Sequence, residues 1–321
     1  MPSALVPSFA KLNLSLKVTG KRPDGFHELR TVFQSITLSD QLEIDYQPGR
    51  GTRVELASSI AIPDNLVTRA AHALMDAASI RGLVRCRLRK RIPMGAGLGG
   101  GSSNAAAVLL AIPALARKPV PLAELNRIAA TLGSDVPYFL YGGAALGLGR
   151  GEELYPLPDP GPRHALLILP GIHVSTPAAF AALARPALIE LTPADLANKM
   201  KRFQSMAWGV ACATTPGGDW ETFCENDFEA AVFPQFPLLK SLHRKLVRSG
   251  ASPARMTGSG SALFGVFPSL EACRRGLVAM GELPPTVAVQ TIRFSTRVQY
   301  RAAWRRALEP YLTEATVWPP R

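Results

Sequence analysis

Apolar and polar residues alternate from Lys11 to Val18, with Leu12, Leu14, Leu16 and Val18 on one side and Lys11, Asn13, Ser15 and Lys17 on the other. A period of two predicts a half-buried strand. A Pro-Asp-Gly turn at Pro23 to Gly25 follows, and Thr31 to Leu38 and Leu42 to Tyr46 read as further strands separated by Ser39, Asp40 and Gln41. From Asn65 to Ala78 the apolar spacing becomes helical, behind Pro63 and Asp64. Val84, Cys86, Leu88 and Ile92 then share one face of a strand whose other face carries Arg85, Arg87, Arg89 and Arg91, which suits an antiparallel or edge position.

Beyond the glycine-rich stretch 95–101, Ser102, Ser103 and Asn104 offer N-cap chemistry to an apolar helix over Ala105 to Ile112. Leu122 to Leu132 predicts another helix, closed by Gly133, and Ser134-Asp-Val-Pro137 has the form of a further helix start. Tyr155 to His164 holds four prolines in ten residues and can continue neither a helix nor a central strand. It divides the chain into domains 1–160 and 161–321. In the second, Ala165 to Leu169 and Val287 to Phe294 read as strands, Pro177 to Ala184 and Pro237 to Ser249 as helices, and Met256 to Phe267 as a glycine-containing hairpin. Residues 205–221 read as a polar loop, and the chain ends in a basic helix with Arg297, Arg301 and Arg305 on one face.

Composition narrows the class. The 321 residues suffice for about two domains, and 47% hydrophobic with 19% charged is ordinary for a globular protein. The 27 Gly and 28 Pro follow no repeat, which excludes collagen-like and low-complexity readings. The longest apolar run, Ala105 to Ala116, contains Pro113 and falls short of the ~20 residues a bilayer span requires. The N-terminus lacks a secretory pattern, so a cytoplasmic protein is expected. Cys86, Cys212, Cys224 and Cys273 lie far apart, without zinc-ligand or disulfide-framework spacing. An excess of 36 Lys and Arg over 24 Asp and Glu, net +12, favours an anionic partner: nucleic acid, acidic membrane or phosphorylated small molecule.

The strongest chemical signal is Pro93-Met-Gly-Ala-Gly-Leu-Gly-Gly-Gly-Ser-Ser-Asn104, in which five of the seven residues from Gly95 to Gly101 lack a Cβ. Such a backbone can come close to a ligand and turn its N–H groups inward, and the helix behind it adds free N–H groups at its positive end. Phosphate is the natural guest, and the Ser102 and Ser103 hydroxyls could bind phosphate or magnesium. A P-loop is excluded, because no lysine lies between Pro93 and Ser103. Gly95, Gly97 and Gly100 satisfy the dinucleotide pattern, but the strand before them is not apolar on both faces. Other candidates each carry an ordinary structural alternative: Asp135 as an N-cap, Lys11 as a solvated strand residue, Met256-Thr-Gly-Ser-Gly-Ser261 as a hairpin turn and His27 as a turn histidine. His72, His164, His173 and His243 are scattered and read as structural.

In chain order, Ala-Lys11-Leu-Asn13-Leu, Pro-Asp-Gly-Phe26-His27-Glu-Leu, the glycine-rich segment, Gly-Ser-Asp135-Val-Pro, Asn226-Asp-Phe-Glu and Met256-Thr-Gly-Ser-Gly resemble the GHMP kinase superfamily. The resemblance runs from about Phe9 to Arg306. It departs in having Phe26 where tyrosine is common, an extended 205–221 loop and an unmatched tail. It implies an α+β, two-domain GHMP kinase fold: an N-terminal domain like domain 2 of ribosomal protein S5, a ferredoxin-like C-terminal domain and an active site between them.

The resemblance also implies ATP with Mg2+ as donor and, through the Phe26-His27 and Asp135 elements, phosphorylation of the 2-hydroxyl of a cytidine-diphosphate-linked methylerythritol in non-mevalonate isoprenoid synthesis. Lys11 and Asp135 match the catalytic pair. Pro93, Gly95, Gly97, Leu98, Gly99, Gly100, Gly101, Ser102 and Ser103 match the ATP loop, with Ser102 and Ser103 as metal candidates and Asn65 and Leu66 near adenine. Asn13, Phe26, His27, Pro177, Phe180, Thr257 and Gly258 would meet the substrate, with the rings of Phe26 and Phe180 closing on cytosine. A mevalonate- or homoserine-type kinase of the same superfamily is the alternative enzyme, although an aliphatic substrate gives an aromatic nothing to stack on. An S5-like domain with this charge would also permit RNA binding, but interleaved surface aromatics are lacking. The expected partner is thus a small molecule rather than nucleic acid or membrane.

Overall fold

The computed structural model describes residues 1–184 and 224–313; the proposed 205–221 loop and Cys212 lie outside them. The N-terminal sheet contains β1 (Ser3–Lys21), β2 (His27–Pro48), β3 (Thr52–Ser58), β4 (Gly82–Arg89), β5 (Ala144–Leu148) and β6 (Glu153–Pro156). They are ordered β3-β4-β2-β5-β6, with β1 antiparallel to β2. The expected strands at 31–38 and 42–46 form one strand, because Ser39 and Asp40 stay paired with Phe9 and Ser8 of β1 across a register shift. Nor is β4 an edge strand: it pairs antiparallel with β2 and parallel with β3. Its arginine face is balanced by carboxylates across the strands, Arg85 with Glu55 and Arg87 with Glu43 and Asp45.

Four helices complete this half: α1 (Leu66–Ala77), α2 (Gly100–Leu115), α3 (Leu122–Leu132) and the short α4 (Tyr138–Tyr141). α2 is apolar all round and buried from Ser103 to Leu115, which makes it the central core element, and it continues through Pro113. Asn65 caps α1 by accepting from Val67 N, so the helix itself begins one residue later, at Leu66.

The second sheet has β7 (His164–Leu169), β8 (Ala254–Met256), β9 (Leu263–Phe267) and β10 (Ala288–Arg293) in the order β10-β7-β9-β8, every pair antiparallel. Its described helices are α5 (Thr176–Ala182), α6 (Phe228–Val232), α7 (Pro237–Arg248) and α8 (Leu270–Ala279). Two split strand-helix-strand units with this strand order make a ferredoxin-like layer. The last helix, α9 (Arg297–Leu308), leaves it: Tyr300, Trp304 and Leu308 are buried in the N-terminal core beside Phe139 and Val108. Arg297, Arg301 and Arg305 are half-buried, and Arg297 donates to Leu157 O and Ala144 O, so the helix packs with the other domain from the one its sequence position suggests.

The two sheets meet across an apolar layer in which Leu12, Leu14, Val32 and Leu146 pack with Leu167, Phe264 and Val266. Residues 10–16 of β1 are therefore buried on both faces, not on one as the alternation suggested. The face with Lys11, Asn13 and Ser15 is buried as well, Lys11 against Phe33 and Asp135 of its own domain and Asn13 against Thr31 and, across the domain boundary, Thr257.

Candidate active site

After β4 the chain enters the glycine-rich loop. Gly95, Gly97 and Gly99 have φ values of 64°, 76° and 70°, which a side chain would strain. Gly99 occupies the N-cap position and α2 starts at Gly100, so Ser102 and Ser103 lie in the first helical turn instead of capping it. The early start leaves the first-turn N–H groups facing the loop. Close packing adds a second demand at Gly97, where a Cβ would lie 2.2 Å from the Thr257 carbonyl oxygen. The turn 256–261 is thus backed against the loop, joined by Ala262 N donating to Ala96 O at 3.3 Å, while Lys11 N donates to Leu98 O at 3.1 Å.

A cavity of about 350 Å³ on one side of the loop is lined by Pro93, Gly95 to Gly101, Ser102, Asn65, Leu66, Lys90 and Asn104. The Asn65 side-chain nitrogen, after its oxygen has capped α1, is buried with no protein partner. The Ser103 hydroxyl, beneath the loop, is also buried and unpartnered. Among the described residues no cluster of three His, Cys, Asp or Glu could hold a metal unaided.

On the other side lies a cavity of about 800 Å³, and Gly97 and Gly99 line both cavities. At the junction Lys11 Nζ stands 3.4 Å from Asp135 Oδ2. Lys11 is 3% exposed, whereas the Asp135 side chain is 33% exposed and open to a ligand. Asp135 caps no helix, since the N-cap of α4 is Pro137 without a side-chain bond. Lys11 Nζ also donates to Asn13 Oδ1 at 2.6 Å and lies 5.6 Å from the Phe33 ring centroid. Asn13 N donates to Thr257 Oγ1 at 3.0 Å, which links β1 to the second domain.

The far end of the larger cavity is aromatic. Phe180, half-buried on α5, stacks on His27 with centroids 4.5 Å apart and meets Phe228 edge-on at 4.8 Å. Phe26 is 51% exposed, with the Arg150 guanidinium 4.8 Å from its ring centroid. Burial and the Lys21 charge hold the His27 imidazole below its usual value. Pro177 and Gly258 line the same cavity, so all the substrate-side candidates meet there except Thr257, which is fully buried behind it against Asn13 and Gly97.

Several contributors were not read as site residues: Lys21 and Arg150 carry no sequence signal, whereas Ser259 and Asn226 stand within motifs that carry the family resemblance. Lys21 and Arg150 line the larger cavity, as does Ser259, whose hydroxyl lies 2.8 Å from that of Thr176. Asn226 donates to Met256 O and Gly258 O at 2.6 and 2.9 Å, and so shapes the second glycine turn. Their roles come from long-range contacts that local pattern does not encode.

Residues 65–143 match the model for the GHMP kinases N terminal domain, and residues 211–282 match that for the GHMP kinases C terminal domain. The chain is 50% identical to the 4-diphosphocytidyl-2-C-methyl-D-erythritol kinase of Solibacter usitatus (strain Ellin6076), over 97% of this chain and 95% of that relative. The chain belongs to the GHMP kinase family. This GHMP kinase is also 37% identical to the 4-diphosphocytidyl-2-C-methyl-D-erythritol kinase of Moorella thermoacetica (strain ATCC 39073 / JCM 9320), over 89% of this chain and 98% of the relative. A solved 4-(cytidine 5'-diphospho)-2C-methyl-D-erythritol kinase superposes with a TM-score of 0.70 at 34% identity, covering 91% of this chain and 99% of that one. A homoserine kinase from Cytophaga hutchinsonii ATCC 33406 shares the fold, with a TM-score of 0.67 at 18% identity over 92% of this chain and 95% of that one. The two-domain fold is that of GHMP kinases, and among the described residues no helix is long and apolar enough to cross a membrane.

Proposed function

We propose that this GHMP kinase transfers the γ-phosphoryl group of ATP to the 2-hydroxyl of 4-diphosphocytidyl-2-C-methyl-D-erythritol, acting in the cytoplasm in non-mevalonate isoprenoid precursor synthesis. The observation that carries this reading is the junction of the two cavities at Gly97 and Gly99, with Lys11 and Asp135 beside it. A triphosphate lying along the loop from the smaller cavity would present its terminal phosphoryl to a hydroxyl held in the larger one. Near-full-length relatives named for this reaction support the choice of substrate.

Phosphoryl transfer asks the protein mainly for alignment and charge neutralisation. Asp135 accepts the proton of the substrate hydroxyl, the hydroxyl oxygen forms the new bond to the γ-phosphorus, and the bond to the β–γ bridging oxygen breaks to release ADP. Lys11, held by Asn13 and facing Asp135, keeps that carboxylate ionised and offsets the charge on the moving phosphoryl. The loop N–H groups and the start of α2 take the donor phosphates. Mg2+ would arrive with the triphosphate and neutralise its oxygens, and of the two candidate hydroxyls Ser102 lines the donor cavity, while the unpartnered Ser103 hydroxyl is buried one residue behind it.

Asn65 would meet adenine with its free amide N–H, and Leu66 would pack against the ring. Cytosine would enter among His27, Phe26 and Phe180, while Lys21 and Arg150 balance the diphosphate. ADP formation measured with the cytidine substrate, with mevalonate and with homoserine tests the proposal. Turnover confined to the cytidine substrate is expected, and preferential turnover of either other alcohol overturns it.

A further inference from the structure

Asp40 lies within β2, 0% exposed, at a place where the sequence suggested a break between strands. Its carboxylate accepts four hydrogen bonds. Oδ1 takes Arg91 N at 2.7 Å and Ile92 N at 2.8 Å, and Oδ2 takes Lys90 Nζ at 2.5 Å and Asn104 Nδ2 at 2.9 Å. Three of these donors belong to the segment that enters the glycine-rich loop, and the fourth belongs to the helix that leaves it. One buried carboxylate therefore ties both ends of the loop to the central sheet.

The contacts also orient two side chains of the smaller cavity. Because Asn104 Nδ2 donates to Asp40, Asn104 Oδ1 is left to accept from Lys90 Nζ, at 3.2 Å. The Lys90 ammonium sits 3.0 Å from where a Gly100 Cβ would stand, and Lys90 and Asn104 both line the cavity. An ammonium with three N–H donors and two partners in this network keeps one donor for a ligand. A buried carboxylate this fully satisfied has fixed geometry, since moving any arm would strand a charge or an N–H group away from water.

We propose that Asp40 is a positioning residue for the nucleotide: it presets the span of the glycine-rich loop and aims Lys90 and Asn104 into the donor pocket. The proposal rests on the reading of that pocket as the ATP site. Asp40 itself does not touch the donor; its influence passes through the loop ends and those two side chains. The phosphoryl acceptor site, on the other side of the loop, lies outside its network.

The test is steady-state kinetics of the full chain with each substrate varied in turn, together with calorimetric titration of a non-hydrolysable ATP analogue and melting curves. Asp40→Asn replaces one acceptor oxygen by a donor facing other donors. The KM for ATP and the Kd of the analogue should rise about tenfold or more, as expected when a charge-assisted contact is lost. The KM for the cytidine substrate should change less than about twofold, because uniform binding of that substrate is left intact.

If Asp40→Asn does not fold, Asn104→Ala and Lys90→Met are measured alone and combined in the same way. Coupling through Asp40 requires their effects on analogue binding to be less than multiplicative. Multiplicative effects overturn the proposal, as does an Asp40→Asn protein with lowered melting temperature but an unchanged KM for ATP. Wild-type protein that fails to bind the ATP analogue at all refutes instead the assignment of the pocket.

Discussion

Asn13 donates its side-chain N–H to the Thr31 hydroxyl at 2.6 Å, and that hydroxyl is committed as a donor to Ser15 O at 2.8 Å. Thr31 can then only accept from Asn13, so the amide nitrogen faces Thr31 and the oxygen faces Lys11. The orientation of Lys11 toward Asp135 thus begins one strand away, on β2. Thr31→Val keeps the shape but removes this anchor, and kcat should fall about tenfold through loss of one buried hydrogen bond. Thr31→Ser should restore most of it. A kcat unchanged in Thr31→Val would show that Asn13 holds its orientation without Thr31.

The proposed roles of Lys11 and Asp135 can be measured separately. Asp135→Asn should fold normally, because the side chain caps no helix and is partly exposed, while turnover falls about 100-fold or more with loss of the proton acceptor. Lys11→Met should lower kcat more than it raises either KM, since its charge matters most as the phosphoryl moves. Turnover near the wild-type rate in Asp135→Asn would remove the residue from proton transfer.

How legible these features were in sequence follows from how local their causes are. The helix Leu122–Leu132 and its closing Gly133 were readable because spacing and stop signal sit within one window. The glycine-rich loop was readable for the same reason. Lys11 and Asn13 looked like a solvated strand face, because alternation reports two faces but not what covers each. Here the second sheet covers the Leu12 and Leu14 face, while Phe33, Gly99 and Asp135 enclose Lys11, and Thr31 and Thr257 enclose Asn13. Asp40 reads in sequence as part of a break between strands, since an acidic residue beside Ser39 normally ends a strand; only its four distant donors make it tolerable in a core. The return of Trp304 to the first domain's core is likewise a long-range contact that no linker argument can anticipate.

The loop glycines are not equivalent, and two substitutions distinguish ligand contact from packing. At Gly99 a Cβ would meet the Phe139 ring at 2.8 Å and Lys11 Cε at 3.2 Å at a positive φ, so Gly99→Val should damage the fold and displace Lys11 together. At Gly101 the nearest atom is Leu66 Cδ1 at 3.7 Å and the backbone is helical, so Gly101→Ala fits the protein. Helix propensity should leave its stability unchanged or raised by up to ~1 kcal/mol. Its affinity for an ATP analogue should nevertheless drop several-fold, because the methyl group enters the phosphate path. Equal affinity in calorimetry would place the phosphates elsewhere.

His27 gives the protein a pH dependence of definite sign. Burial and the Lys21 charge lower its folded-state value below the ordinary 6.5, so the unfolded chain binds the proton more readily. Well above pH 6.5 the group is neutral in both states and contributes nothing to the pH dependence. As pH falls through 6.5 toward the folded value, stability declines. Melting temperatures recorded from pH 8 to 5 should fall less steeply at the acid end for His27→Gln than for wild type. Parallel curves would mean that the stacked imidazole is not shifted.

Phe180 decides whether the aromatic end of the larger cavity is a base site or core. It stacks on His27 across the domain boundary and rests edge-on against Phe228, so one face is already occupied before any ligand enters. Cytosine would therefore insert beside or in place of the His27 contact rather than into an empty gap between Phe180 and Phe26. Base stacking on an aromatic is worth ~1 to 3 kcal/mol, so Phe180→Ala should raise the KM for the cytidine substrate roughly 5- to 150-fold. The effect on kcat should be smaller, because the ring is remote from the transferring phosphoryl and contributes binding common to ground and transition states. Phe26→Tyr, which keeps the ring face under Arg150, should be close to neutral in both constants. If the side chain served only packing, Phe180→Ala would cost up to ~3 to 5 kcal/mol of stability and leave that KM unmoved. Melting temperature and KM measured on one preparation separate the two roles, and a large stability loss at constant KM would exclude cytosine stacking at Phe180.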